Sequence, residues 1–232
     1  SLLSAIGGDV LTKEYKRENV TTYYQYATAI PIGTLLAQTW NPELMEEVGR
    51  MIGQEMLEFG VAWWLAPGMN IHRNPLCGRN FEYYSEDPFI AGTIAAAMTK
   101  GVQSIPGVGT TIKHYAANNQ EDNRMFSNSI MSERTLREIY LRGFEIAVKE
   151  SQPMCVMTSY NQINGVPAAN NKDLITTVLR GEWDFQGIVM TDWTTTTYGS
   201  ASPHKCAEAG NDLIMPGSQK DIDDIMKALA DG

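Results

Sequence analysis

From about residue 40 onward, stretches with helical hydrophobic spacing alternate with short apolar, β-rich runs. Asn41-Pro42-Glu43 reads as a cap residue, a proline at the first helical position and an acid. Apolar residues at 44, 48, 52, 56 and 59 then predict a helix with one buried stripe, ending near Phe59-Gly60. A short apolar run over 61–67 follows. The polar loop over 68–88 is too long to be a mere connector, and it leads to a small-residue helix over about 89–103. A second strand is predicted over 108–115, a second polar loop over 116–131, and a helix from a Ser132 cap to about 150. The unit then recurs as a strand over 154–159, a loop over 161–171 and a helix over 172–180. Another strand over 187–190 ends at Thr191-Asp192-Trp193. A fifth strand is expected over 212–215, and a last helix over 219–230 has apolar residues at 222, 225, 226 and 229 on one face. Residues 1–40, with Gly7-Gly8, Asp9 and a charged stretch over 13–19, read as loop or as a partial βα unit.

This alternation is the mark of parallel βα units. The unusual polar residues follow strands, never helices, and in a (β/α)8 barrel the ends of the strands form the catalytic face. A doubly wound open sheet also places its site at strand ends, but with a Gly-rich phosphate turn after the first strand. The chain has no such turn. The expected fold class is therefore α/β, a (β/α)8 TIM-like barrel over 1–232. The barrel is expected to be incomplete or truncated at both ends, since the chain opens on Ser1 and stops after a helical pattern with no closing strand.

Composition narrows the classes of function. A hydrophobic content of 43% over 232 residues allows one large core. With 18 Lys+Arg against 27 Asp+Glu, the formal charge of -9 argues against a nucleic-acid partner. Apolar runs such as 30–37 and 61–67 are far short of the roughly 20 residues a membrane helix needs, so no membrane partner is expected. Cys77, Cys155 and Cys206 are odd in number and widely separated, which suggests buried thiols, neither a disulfide framework nor a zinc site. No secretory leader pattern opens the chain, so a cytoplasmic location is expected, with a secreted or periplasmic one left open by the unseen native start.

The chemistry concentrates at strand ends. Val189-Met190-Thr191-Asp192-Trp193 delivers a carboxylate and then an indole to the barrel mouth, which makes Asp192 the best candidate nucleophile. A retaining glycosidase needs one carboxylate to attack the anomeric carbon and a second to protonate the leaving oxygen. Taken singly, each residue has a plainer reading: Asp192 as a cap, Lys113-His114 as a solvated pair, Arg79 and Arg124 as surface ion-pair partners, Trp193 as core.

Their joint occurrence in order changes that reading. Asn70-Ile71-His72-Arg73-Asn74-Pro75-Leu76-Cys77-Gly78-Arg79-Asn80-Phe81-Glu82, Lys113-His114-Tyr115 and Asn118-Asn119-Gln120-Glu121 come first. They are followed by Arg124-Met125, by Ser159-Tyr160-Asn161 with Asn164-Gly165, and by Thr191-Asp192-Trp193. Over about residues 40–217 the chain resembles glycoside hydrolase family 3 of the β-glucosidase type. Cys77 stands where that family usually has glycine.

The resemblance implies Asp192 as nucleophile and a glucose subsite of Arg79, Lys113, His114, Arg124, Tyr160 and Trp193. Cations would hold Asp192 ionised, and Tyr160 could donate to it. Glu82 is given a structural ion-pair role. His72 and Arg73 are expected to order the loop, and residues 118–121 to scaffold theirs through side chain to backbone bonds. The implied activity is a retaining exo-β-glycosidase acting on a β-glucoside or oligosaccharide, with no cofactor and no metal. A β-xylosidase of the same family, or a noncatalytic sugar-binding barrel, is the alternative. A metal-dependent hydrolase is disfavoured because His72, His114 and His204 form no metal motif.

Two family features are missing. Gly7-Gly8-Asp9 does not reproduce the Asp-Gly-Pro segment expected upstream of Pro31. The acid/base glutamate of β-glucosidase-like members comes from an α/β sandwich domain, for which this chain has no room, so that domain is an expected partner. The N-acetylglucosaminidase branch instead uses a histidine on a Gly-rich loop after its Lys-His pair. Here Tyr115-Ala116-Ala117-Asn118-Asn119 follows the pair, so that assignment is rejected. A homo-oligomer is left open.

Overall fold

The computed structural model describes residues 26–232. The chain divides into two units, Ser1–Ile30 and Pro31–Gly232, and the second is the one described below. The readings of Gly7-Gly8-Asp9 and of the charged stretch over 13–19 lie outside the described residues.

In chain order the first half holds α1 (Gly33–Ala37), α2 (Pro42–Phe59), β1 (Trp63–Trp64), α3 (Pro88–Gln103), β2 (Gly109–Tyr115) and β3 (Asn128–Ser129). The second half holds α4 (Glu133–Thr135), α5 (Arg142–Ser151), β4 (Cys155–Thr158), β5 (Gln162–Ile163), β6 (Val166–Pro167), α6 (Asp173–Glu182, wound as a π-helix), β7 (Ile188–Thr191), α7 (Pro203–Ala209) and α8 (Gln219–Asp231). β1, β2, β4 and β7 form one parallel sheet in that order. Helices connect its strands, which gives an arc of a TIM-barrel-like α/β fold. The strands are buried along almost their whole length, as parallel strands covered on both faces must be. Cys155, Met157 and Met190 share one face by register and gather Trp63, Leu65, Met154, Ile188 and Met215 around them.

The predicted elements form, with instructive exceptions. Asn41 caps α2 by accepting from the Leu44 amide at 3.0 Å, and left-handed Gly60 (φ 68°) ends the helix. The buried stripe, however, is Met45, Gly49, Gly53 and Met56, while Leu44 is exposed. The reason is close approach of two backbones: a Cβ on Gly49 would lie 2.5 Å from the Met98 carbonyl oxygen, and one on Gly101 would lie 2.2 Å from that of Glu46. Glycine, not a large apolar side chain, lets α2 lie on α3. Asp87 caps α3 by accepting from the amides of Phe89 (2.7 Å) and Ile90 (3.0 Å).

The helix expected from Ser132 to about 150 is interrupted. It widens to a π-type turn over Leu136–Tyr140, where the Leu141 amide reaches back to the Leu136 carbonyl at 2.8 Å, and α5 starts afresh. The strand expected over 61–67 shrinks to β1, and that over 212–215 to a single parallel bridge of Leu213 with Met190. Pro67 has no N–H to give the ladder, which resumes as a single bridge of Gly68 with Lys113. The loop expected over 161–171 contains the β5–β6 hairpin. Its turn residues Asn164 and Gly165 both have positive φ (49° and 88°). α7 was not foreseen, and α1 lies within the unplaced stretch over 1–40. No helix among the described residues is long and apolar enough to cross a membrane.

Candidate active site

The site is assembled from the ends of four parallel strands. The loop after β1 brings Asn70, Arg79, Glu82 and Tyr83; the end of β2 brings Lys113 and His114; the loop after β2 brings Asn118, Glu121 and Arg124. Tyr160 follows β4, and Asp192 and Trp193 follow β7. The β4–β7 ladder continues one step past the strand through the Asp192 amide, which donates to the Thr158 carbonyl at 3.1 Å. The Thr195 hydroxyl donates to the Asp192 carbonyl at 2.8 Å. These bonds fix the Asp192 backbone at the strand end.

His114 is the extra residue where the β2–β4 register slips between Lys113 and Tyr115. A bulge re-aims its side chain and leaves its peptide groups without a strand partner. The Asn70 amide replaces that partner: its Oδ1 accepts from the His114 amide at 2.8 Å, and its Nδ2 donates to the His114 carbonyl at 2.9 Å. The imidazole is thereby held with Nε2 3.6 Å from Asp192 Oδ2 and Nδ1 3.2 Å from the Tyr83 hydroxyl. The other carboxylate oxygen, Asp192 Oδ1, accepts from the Trp193 amide at 2.7 Å.

Around this centre stand three cations, held by two acids. Glu82 accepts from Arg79 Nε (2.7 Å) and Nη2 (2.9 Å) and pairs with Lys113 Nζ at 3.1 Å. This is the ion-pair role expected of it. Burial pushes the Glu82 carboxyl upward, but the Arg79 bond and the Lys113 charge outweigh burial and hold it below the ordinary range. Glu121 binds Arg124 at 2.6 Å, and the Arg124 guanidinium stacks 4.9 Å from the centre of the Tyr160 ring. Arg79 lies over the Tyr83 ring at 5.7 Å.

The electrostatics correct one expectation. Asp192 is only 6% exposed, and burial raises its carboxyl above the ordinary value. The Trp193 amide, Arg79, Tyr160 and Arg124 oppose that rise without cancelling it. The cations lessen the desolvation of Asp192 but do not dominate it. His114 is pushed well below the ordinary histidine value, by burial first and then by Arg79, Lys113 and Arg124, so its imidazole is neutral.

Tyr160 has two acceptors within reach. Its hydroxyl lies 2.6 Å from the Trp193 carbonyl. The same hydroxyl hydrogen-bonds the Asp192 carboxylate, as expected of it, and so holds both the nucleophile and the backbone beside it. Trp193, 40% exposed, is the open wall of the site.

All seven predicted site residues, Arg79, Lys113, His114, Arg124, Tyr160, Asp192 and Trp193, thus belong to one constellation at the strand ends. The His72 main-chain amide donates to Ser85 O at 3.1 Å, while its buried ring Nε2 has no hydrogen-bond partner. In the 118–121 segment Asn119 bonds the Ile71 carbonyl and Gln120 the Asp122 carbonyl (2.8 Å), both to backbone as expected. Asn118 and Glu121 instead use side-chain partners, Tyr83, Glu121 and Arg124. Sequence reasoning gave no role to Asn70 or Tyr83, and to Asn118 only that of loop scaffold. Asn70 opened a quoted motif, but its pairing with the bulged backbone of His114 leaves no trace in spacing. Among the described residues no group of three or more His, Cys, Asp or Glu is placed to hold a metal ion.

Known proteins share this framework. The description "Glycosyl hydrolase family 3 N terminal domain" matches residues 10–232. A beta-glucosidase of Ruminococcus albus is 48% identical over 218 residues, covering 89% of this chain and 22% of that protein. An exo-alpha-(1->6)-L-arabinopyranosidase of Bifidobacterium longum is 50% identical over 206 residues, covering 89% of this chain and 26% of its own length. The structure of beta-glucosidase 3B from Thermotoga neapolitana in complex with glucose superposes with a TM-score of 0.86 at 55% identity, covering 94% of this chain and 31% of that one. The chain therefore spans less than a third of the length of these relatives. A barrel arc with these strand-end residues, matched along nearly all of its length, belongs to the N-terminal domain of glycosyl hydrolase family 3.

Proposed function

We propose that this chain is the nucleophile-bearing barrel of a retaining exo-β-glucosidase. The observation that carries the reading is the buried Asp192 carboxylate at a strand end, with one oxygen bound by the Trp193 amide and the other facing neutral His114. In this mechanism the free oxygen of Asp192 attacks the anomeric carbon of a terminal β-glucosyl residue as the bond to the leaving oxygen breaks. The leaving oxygen takes a proton from a general acid, and water then cleaves the glycosyl ester on Asp192. Arg79, Lys113 and Arg124 suit sugar hydroxyls as hydrogen-bond donors, and Trp193 offers an aromatic face to the C–H side of the ring.

The general acid comes from outside this chain. Glu82 is held anionic by two cations, and Glu121 is tied to Arg124, so neither is suited to deliver a proton. An acid/base residue on a further domain, an α/β sandwich, fits both this gap and the greater length of the relatives.

The test is incubation with a 2-deoxy-2-fluoro-glucosyl donor carrying an activated leaving group, read by intact mass and peptide mapping. A glycosyl adduct on Asp192 is the expected result. Labelling only in a chain of the relatives' full length means the subsite needs the remaining segments, and no adduct in either removes the glucosidase reading. A second reading, a pentosidase, is favoured by the arabinopyranosidase, as similar to this chain as the β-glucosidases are. The corresponding 2-fluoro pentosyl donors, a xylosyl one included, distinguish the two.

A further inference from the structure

Tyr83 is wholly buried and no step of the proposed reaction uses it. Its hydroxyl sits between Asn118 Nδ2 at 3.0 Å and His114 Nδ1 at 3.2 Å. The orientation of Asn118 is dictated from behind: its Nδ2 also lies 3.2 Å from Glu121 Oε1, a carboxylate whose other oxygen is bound to Arg124. An amide beside a carboxylate turns its nitrogen, not its oxygen, toward it. Asn118 therefore donates to the Tyr83 oxygen, and the Tyr83 proton must find an acceptor elsewhere. His114 Nδ1 is that acceptor.

The alternative tautomer has a rival claim. Asn70 Oδ1 lies 3.2 Å from the same Nδ1 and could accept a proton from it. That arrangement would leave the buried Tyr83 proton without its acceptor and would turn the lone pair of Nε2 toward the Asp192 carboxylate 3.6 Å away. Each is unfavourable for buried groups. The opposite tautomer satisfies Tyr83 and turns an N–H toward the carboxylate.

We infer that Tyr83 is a positioning residue that locks His114 as the tautomer protonated on Nε2, with that proton aimed at Asp192. The linkage runs Arg124–Glu121–Asn118–Tyr83–His114–Asp192. It returns through Arg124, which stacks on Tyr160, and Tyr160, which is bonded to the carbonyl of Trp193. At 3.6 Å the Nε2 proton steers the carboxylate without being committed to a full hydrogen bond, so it is free to meet a substrate hydroxyl. That last consequence rests on the glycosidase reading; the tautomer does not.

The experiment uses the chain labelled with 15N-histidine. Its three histidines are assigned through His72→Gln and His204→Gln, and the tautomer is read from long-range 1H–15N correlations. The wild type is expected to show neutral His114 protonated on Nε2, with the Tyr83 hydroxyl proton correlated to Nδ1. Tyr83→Phe keeps the buried ring and removes only the hydroxyl. It should shift the tautomer ratio toward Nδ1–H by about tenfold, and slow labelling of Asp192 by the 2-fluoro donor by about the same factor.

A wild-type His114 protonated on Nδ1, or no correlation from the Tyr83 hydroxyl, overturns the inference. So does an unchanged ratio in Tyr83→Phe. The wild-type spectrum needs no variant, so the inference stays testable if Tyr83→Phe does not fold. Failure to label in both this chain and one of the relatives' full length, with the tautomer as expected, would remove the glucosidase reading and leave the role of Tyr83 standing.

Discussion

Asp192 holds two opposed requirements in one side chain: it must be ionised to attack, yet its burial favours the protonated form. Its raised carboxyl means the folded chain binds a proton here more readily than the unfolded one. The stabilising contribution is full below the ordinary aspartate value of about 3.9 and is lost as pH rises through the higher folded value. Two expectations follow from that sign. The acid limb of the labelling rate should lie above about pH 3.9, as measured by adduct formation against pH. Asp192→Asn should abolish labelling, by more than about a thousandfold, while raising stability near neutral pH in thermal or denaturant unfolding. Unchanged stability in that variant would mean that burial does not set the carboxyl's energy.

At the scale of elements, the scaffold depends on glycines more than on large apolar residues. The α2–α3 contact is backbone on backbone at Gly49, Gly53 and Gly101. Gly101→Ala places a methyl 2.2 Å from the Glu46 carbonyl oxygen and should destabilise the chain by about 1–3 kcal/mol in denaturant unfolding. Asp87→Ala removes only the cap of α3 and should lower stability by about 1 kcal/mol. If Gly101→Ala were the milder of the two, the helices would be adjusting their separation and the close contact would not be structurally required.

At the scale of the whole molecule, the chain carries a nucleophile and a ring of hydroxyl donors but, by the proposed reading, no general acid. Hydrolysis of β-glucosides with poor leaving groups should be about 10²–10⁴ slower than in a chain of the relatives' full length. Activated donors should narrow that gap. Steady-state rates across a series of leaving-group acidities test this: a flat dependence in the 232-residue chain would place the acid within it. The Glu82 bridge connects the loop after β1 to the end of β2. Its carboxyl lies below the ordinary range, so its contribution is present above about pH 4.3 and is lost as pH falls through its folded value. Glu82→Gln should flatten that acid-side loss of stability.

Local chemistry was enough to read much of this from sequence alone. The Asn41-Pro42-Glu43 cap, the Ser132 cap, the apolar runs of β2, β4 and β7, and the clustering of polar residues after strands are short-range features, and they led to the barrel class and to Asp192 as nucleophile, whereas the other six site residues followed from the ordered resemblance to glycoside hydrolase family 3. Tertiary structure decided what no local pattern encodes. The faces of α2 were settled by how closely its backbone meets α3, which made glycines, not Leu44, the buried positions. The ends of β1 and of the Leu213 segment were settled by which N–H groups could reach a neighbouring strand. The balance at Asp192 was settled by burial, which depends on everything packed around it and outweighs the lowering by Arg79 and Arg124 that the sequence led one to expect. Asn70, Tyr83 and Asn118 reach the site through partners 31 to 44 residues away. Hydrogen bonds of that kind are directional and nonlocal, so the sequence could show which groups were available but not which of them would meet.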